Sequence, residues 1–303
     1  ILQKHTSSVI ASCSFDGCDE TEWDGVVQFF GSEASLTISV IANALPYLAP
    51  MVRSIDRWRS RADHPLAIFT KFIAKKAQLR ERDEAPTDFL QYLKRVEVDE
   101  VDNMDEGRES FFDPSTTKMS KQITVDELPA QLRFVSIAGF DTTANTLTFL
   151  ILLLAEHPHI QDHLRSLVAH IPSEIDSVSD LPYLQACISE TLRLYPHAST
   201  LHTRECTSPL TLSSGLHFER GTQILVDTWS LHRDPSIWGD DVMEFKPQRF
   251  LDSPSLFSIP FGVGPRQCIG MRFALLEIKL AIIQLLQRYR IQRVPESTVR
   301  ICL

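Results

Sequence analysis

Cys268 stands in the segment Phe261-Gly-Val-Gly-Pro-Arg-Gln-Cys-Ile-Gly270. It places one thiol on a glycine-rich loop, with Arg266 two residues before it and an apolar, helix-like run after it. A thiolate is a soft anionic ligand of the kind that holds haem iron on its axis. Gly264 and Gly270 let a backbone come close to a flat cofactor. A helix starting near Gly270 aims its unpaired N–H groups toward the sulfur and favours the anionic form. Arg266 is a permanent cation that can meet a propionate in a bidentate contact. The plain alternative for any single cysteine is a buried, inert, structural thiol, but these neighbours argue against it.

A second constellation is Ala138-Gly-Phe-Asp-Thr-Thr143, inside an apolar stretch that reads as a long helix. Asp141 there must be solvated or paired. Gly139 costs a helix about 1 kcal/mol against alanine, and its missing side chain lets something small or flat approach. A kink with Thr142 bonded back to its own helix is the ordinary explanation. A third pattern is Glu190-Thr-Leu-Arg193, whose i, i+3 spacing puts carboxylate and guanidinium on one face. Such a pair is usually exposed and worth under about 1 kcal/mol. Here the flanks Ala186-Cys-Ile, Leu192 and Leu194 are apolar and favour burial.

These residues have to be held by helices. Residues 7–15 and 22–30 read as short helices, and 54–82 as an amphipathic, basic, solvated one. Residues 97–121 mix acids with Gly107 and Pro114 and read as an exposed loop. A long helix is expected from 128 to 157, with Thr124 and Glu127 at capping-box spacing and a start near Pro129. It ends at His157-Pro158. A second helix reaches about His170, and a third runs from Pro182 to Tyr195. Alternating Thr, Leu, Ile and Val over 209–227 suggest a small hairpin and sheet. Residues 228–260 read as mostly irregular, and an apolar helix follows Gly270 to about Tyr289. The fold class is mainly α with a small β-sheet.

The whole chain has 303 residues, 43% of them hydrophobic, enough for one large domain or two. Its net charge of −9 argues against a nucleic-acid surface. The cysteines at 13, 18, 187, 206, 268 and 302 are scattered and form no C-x-x-C pair, as in a reducing compartment. The longest clean apolar run, Phe149 to Ala155, is far short of the ~20 residues of a membrane span.

The cysteine segment resembles the haem-binding signature of the cytochrome P-450 superfamily, through Phe261, Gly264, Arg266, Cys268 and Gly270. The resemblance extends to microsomal, drug-metabolising members and implies a helical fold of that type. It implies haem b as cofactor, with Cys268 as iron ligand. It further implies that Thr142 positions a water and that Asp141 relays protons toward it. Glu190-x-x-Arg193 resembles the family's buried lock, whose usual third member is an arginine in a Pro-Glu-Arg-Phe-like string. This chain offers Pro247-Gln-Arg-Phe250, keeping Arg249 and replacing the acid by Gln248. His232-Arg-Asp-Pro235, Trp238 and Phe245-Lys-Pro247 resemble the meander before the haem loop, with His232 a packed loop histidine rather than an iron ligand. The segment from His197 to Arg204 is expected beside the haem edge. His202 and Arg204 are both candidates for a propionate contact, and spacing does not choose between them.

Earlier, residues 7–15 resemble a helix segment of those members, Pro86-Thr-Asp-Phe-Leu90 resembles the string preceding their oxygen-binding helix, and Ile38 to Val52 falls where members touch a membrane surface. The resemblance therefore implies a partial domain over 1–303, without the early helices and anchor and with an early end. It implies a monooxygenase inserting one atom of O2 into a small apolar substrate at the cytoplasmic face of the endoplasmic reticulum. The membrane attachment would lie in segments absent from this chain. Electrons would come from an NADPH-dependent flavin reductase, with Lys246, Arg272 and Lys279 as candidate docking charges. Two rivals are a haem-thiolate isomerase or dehydratase of the same fold and a non-catalytic remnant. Asp141 and Thr142 speak against the isomerase.

Overall fold

The computed structural model describes residues 2–14, 89, 93, 127–172, 178, 181–197, 202–252 and 257–293. The expectations for 22–30, 38–52, 54–82 and 97–121, and the cap at Thr124, lie outside them. The chain divides between Asp141 and Thr142 into two compact units. In the first, α1 spans Leu2–Ser14, beginning five residues before the expected 7–15. The long helix α2, Leu128–Glu156, starts in this unit. A Cβ built at Gly139 would lie 3.0 Å from Ile10 Cδ1. The small neighbour that Gly139 admits is thus an isoleucine of its own chain. Ile10, Leu132 and Phe140 are buried here.

The second unit carries the site. The remainder of α2 leads at once into α3, Pro158–Val168, and Pro158 supplies the preset φ of a first helical position. Helix α4, Pro182–Leu194, is buried on nearly all sides and ends before Tyr195-Pro196. The expected sheet is two separate two-stranded ribbons. Strand β1, Thr203–Glu205, pairs antiparallel with β4, Gln223–Leu225. Strand β2, Leu210–Thr211, pairs with β3, His217–Phe218, across a turn at Gly215 of φ 86°.

The stretch expected to be irregular contains one-turn helices. Asp227 accepts from the Ser230 amide and starts α5, Thr228–Leu231. Asp234 accepts from the Ser236 amide and starts α6, Pro235–Trp238. Helix α7 is Gln248–Asp252 and α8 is Met271–Arg288. Leu147, Leu150 and Leu154 of α2, Leu164 of α3, Ile188 of α4 and Ile282 and Ile283 of α8 share one hydrophobic core.

The apolar run Phe149 to Ala155 lies inside a longer apolar helix. Ala130–Glu156, 27 residues containing an 18-residue window of mean hydropathy 1.5, is long and apolar enough to cross a membrane by length and composition alone, a test that the core helix of a soluble protein also passes. An uninterrupted-run criterion misses it because Asp141 and several threonines break the run. Leu147, Leu150, Leu153 and Leu154 show where that apolarity goes in the second unit, since all are in its core.

Helix α3 and the end of α8 clasp each other through polar side chains. Gln161 Nε2 donates to the carbonyls of Leu154 and Ile291, and Gln161 Oε1 accepts from the Ile291 amide at 2.8 Å. Arg165 donates to the Leu286 and Tyr289 carbonyls. Gln287 returns the favour to Val168 and Ile171 at 2.8 and 2.9 Å. Terminal carbonyls of both helices, which have no partner within a helix, are satisfied this way.

The Glu190 lock forms as expected. Glu190 and Arg193 side chains are fully buried, joined at 2.7 Å (Nε to Oε2) and 2.8 Å (Nη2 to Oε1). Arg249 Nε adds a contact to Glu190 Oε1 at 3.2 Å, and the Lys246 amide donates to the same oxygen at 3.0 Å. The rest of each guanidinium ties down backbone. Arg193 donates to the carbonyls of His232 and Glu244. Arg249 donates to those of Trp238 and Asp241. The Lys246 and Arg249 donors hold the Asp241 carboxyl down to about 2.

Removing one partner of a buried ion network strands the other charges and costs about 3–5 kcal/mol. Glu190→Ala should lower the unfolding free energy by that amount, and a mutant with the wild-type denaturation midpoint would contradict the burial. Leu164→Ala opens a cavity in the core and should cost about 2–5 kcal/mol. Leu167→Ala, one turn along and 43% exposed, should stay within about 0.5 kcal/mol.

Candidate functional site

The cysteine loop is built from two tight turns. Gly262 and Gly264 have φ of 73° and 74°, a conformation that side chains resist. Pro265 then fixes a 3₁₀ turn over Gly264–Arg266, closed by the Gln267 amide on the Gly264 carbonyl at 3.0 Å. The loop folds back so that the Cys268 amide donates to the Phe261 carbonyl at 2.9 Å. Phe261 is half-buried against the core and anchors the start of the loop. Helix α8 begins three residues after Cys268.

Cys268 is exposed and in no disulfide. Arg266 beside it is exposed as well. A Cβ at Gly264 would meet nothing within 4 Å, so the loop has an open face. Gly270 is not a left-handed turn residue. Its φ is −85°, and a Cβ there would sit 3.9 Å from the Cys268 sulfur, so the glycine leaves room beside the thiol rather than supplying a special turn. Gly262 is the turn residue the sequence reading passed over. Its signal was the alternation Gly262-Val-Gly264. Val263, Ile269 and Phe273 are 60%, 97% and 43% exposed. An accessible soft ligand, open backbone and uncovered apolar side chains together fit a flat, largely apolar, iron-bearing cofactor such as haem.

Two histidines lie against this loop. A Cβ at Gly262 would be 3.6 Å from His202 Nε2, and His202 Nδ1 shares a hydrogen bond with the Thr228 hydroxyl at 2.7 Å. Arg204, the alternative to His202, is exposed on β1 and donates to the Thr203 carbonyl. His232 is fully buried, and its Nε2 accepts from the Ile259 amide at 3.0 Å. Burial and the nearby Arg193 and Arg233 charges push the His232 imidazole down to about 4. Burial pushes His197 down to about 4 also. His197 stacks on Phe149, which stacks on Tyr195 at 4.2 Å.

Asp141 and Thr142 are adjacent and half-buried on α2, at the boundary of the two units. Thr146 and Thr148 turn their hydroxyls onto the carbonyls of Thr142 and Ala144, each at 2.8 Å. Of the three docking cations, Arg272 is exposed and Lys246 is paired to Asp241 at 2.8 Å. Lys279 must be withdrawn from that set, because it is only 8% exposed on the core side of α8.

The two depressed histidines fix a pH dependence. An unfolded chain protonates them near 6.5, whereas the folded one resists until about 4. The unfolded state therefore binds more protons in that window, and stability falls as pH drops from about 6.5 to 4. Each histidine contributes up to about 3 kcal/mol of that loss. Unfolding midpoints measured across this range should show the slope, and His232→Gln should reduce it. A flat profile would contradict burial of the neutral imidazoles.

The sequence profile of the cytochrome P450 family matches residues 1–303. Among curated proteins, Caenorhabditis elegans cytochrome P-450 CYP13A7 is 39% identical over 252 residues, covering 77% of this chain and 48% of that protein. CYP13A6 of the same nematode is 40% identical, covering 71% and 43%, and CYP13A2 is 36% identical, covering 86% and 53%. The chain spans about half the length of the curated relatives it matches. Agreement with the profile across residues 1–303 and these identities, added to the loop around Cys268, establish that the chain belongs to the cytochrome P-450 family.

Proposed function

We propose that residues 1–303 form part of a haem-thiolate monooxygenase domain that inserts one oxygen atom of O2 into a small apolar substrate. The observation that carries this reading is the exposed, unbridged Cys268 on a doubly glycine-turned loop directly before α8. Haem b, when bound, supplies the dioxygen activation and oxygen transfer that no side chain can perform. Cys268 would hold the iron through its thiolate, whose electron donation favours O–O cleavage. Arg266 would receive a propionate, with His202 better placed than Arg204 to support it, because His202 already rests against Gly262. Phe261, Gly264 and Gly270 would shape the loop around the cofactor.

Asp141 and Thr142 would handle protons. Thr142 would hold a water with its hydroxyl, and Asp141 would deliver protons to it. We further assign the electron supply to an NADPH-dependent flavin reductase, with Arg272, exposed on the first turn of α8, as a candidate docking charge. The site of action would be the cytoplasmic face of the endoplasmic reticulum membrane.

Cys268→Ala should abolish the red-shifted Soret band of the ferrous carbon monoxide adduct, and its persistence would remove Cys268 from this role. Thr142→Ala should leave haem content unchanged and divert reducing equivalents to peroxide. The yield of oxygenated product per reducing equivalent should fall by about 10²–10⁴-fold if proton delivery runs through Thr142. An unchanged yield would favour another proton path or a peroxide-rearranging enzyme.

A further inference from the structure

The loop around Cys268 has two stems, and they are fixed differently. After Cys268 the chain enters α8, whose Glu277, Ile278, Ile282 and Ile283 are buried. Before Cys268 the chain has only the short 3₁₀ turn of Gly264–Arg266, and beside the Phe261 side chain its backbone has a second anchor. That anchor is His232. The Ile259 amide donates to His232 Nε2 at 3.0 Å, across 27 residues of sequence. The Ile259 carbonyl in turn accepts from the Gly262 amide at 3.0 Å, and the Phe261 carbonyl accepts from the Cys268 amide at 2.9 Å.

The imidazole is itself held from behind. Its residue's carbonyl accepts from Arg193 Nη1 at 2.9 Å. The Trp238 ring meets it edge-on at 6.4 Å between centroids, and the Trp238 indole N–H is tied to the Leu231 carbonyl at 3.0 Å. Arg193 lies over the same indole at 5.2 Å. A backbone N–H can only donate, so Nε2 must present its lone pair, and the neutral ring carries its proton on Nδ1. Nδ1 is buried and has no hydrogen-bond partner among the described residues. A ring that merely filled space would have no reason to keep a buried N–H unpaired, which costs free energy. The acceptor at Nε2 is the feature that this arrangement preserves.

We propose that His232 is a positioning residue for the thiolate loop, its Nε2 lone pair fixing the Ile259 amide and thereby linking the Glu190–Arg193 ion pair to the backbone that carries Cys268. It rests on the reading of Cys268 as iron ligand. The role differs from ligation and from proton transfer, since the imidazole reaches the cysteine only through backbone.

Two variants separate an acceptor from a filler. His232→Gln can place Oε1 where Nε2 accepts, whereas His232→Phe keeps the volume and loses the acceptor. In haem-loaded protein, the Gln variant should keep the red-shifted carbon monoxide band and the slow exchange of the Ile259 amide. The Phe variant should lose much of that band, and Ile259 exchange should accelerate by about five- to tenfold, the value of one net hydrogen bond. Equal Ile259 exchange in wild type and Phe variant, with the band intact in both, would overturn the proposal alone. Loss of the band in both variants would do so too. If the Phe variant does not fold, nitrogen-15 spectra of the wild-type imidazole decide. A hydrogen-bonded, unprotonated Nε2 supports the proposal, and a protonated Nε2 in the neutral ring overturns it. Wild-type protein lacking the band altogether would instead overturn the reading of Cys268, and with it the purpose given to His232, while the exchange contrast still reports on the hydrogen bond.

Discussion

A single buried carboxylate organises the second unit. Glu190 has no access to water, so its charge survives only because donors surround it: two guanidinium groups and the Lys246 amide. Those guanidiniums cannot be spent on Glu190 alone, because each carries five N–H donors in a fixed fork. The remaining donors reach the carbonyls of His232, Trp238, Asp241 and Glu244. These carbonyls belong to a stretch with little regular structure, whose backbone groups have few ladder partners. The ion pair thus replaces secondary structure as the thing that shapes residues 228–250, and the cysteine loop inherits its position from that stretch.

Covalent and local signals in the sequence fared well where chemistry and spacing coincide. The cysteine loop, the i, i+3 pair at Glu190 and Arg193, and the helices bounded by Pro158, Pro182 and Pro196 are all decided within a few residues. Arg249 could be placed only through the resemblance, because its meeting with Glu190 spans 59 residues. The one-turn helices that start at Asp227 and Asp234 fall in a stretch that reads as irregular, because they are too short for hydrophobic periodicity to reveal.

What stayed hidden was set by distant contacts. Gly139 reads as an opening, yet Ile10 fills it from 129 residues away. Lys279 reads as a surface cation because lysine usually is one, while its turn of α8 faces inward. His232 reads as a packed loop residue, and burial agrees, but nothing local announces that Ile259 donates to its Nε2. Helix α2 is broken as an apolar run by Asp141 and its threonines, yet its later leucines lie in the core of the second unit.

The clasp between α3 and α8 has a temporal side. Gln161 and Arg165 find their carbonyl partners 121 to 130 residues later in the chain. At ribosomal rates of about 5–20 residues per second, α3 emerges roughly 6–26 s before those partners exist. Helix formation itself takes microseconds or less. Through that interval α3 keeps an apolar stripe of Ile160, Leu164 and Val168 without its final cover. Until those partners emerge, the uncovered stripe is open to non-native apolar contacts, the kind of exposure that makes partly folded chains prone to aggregate.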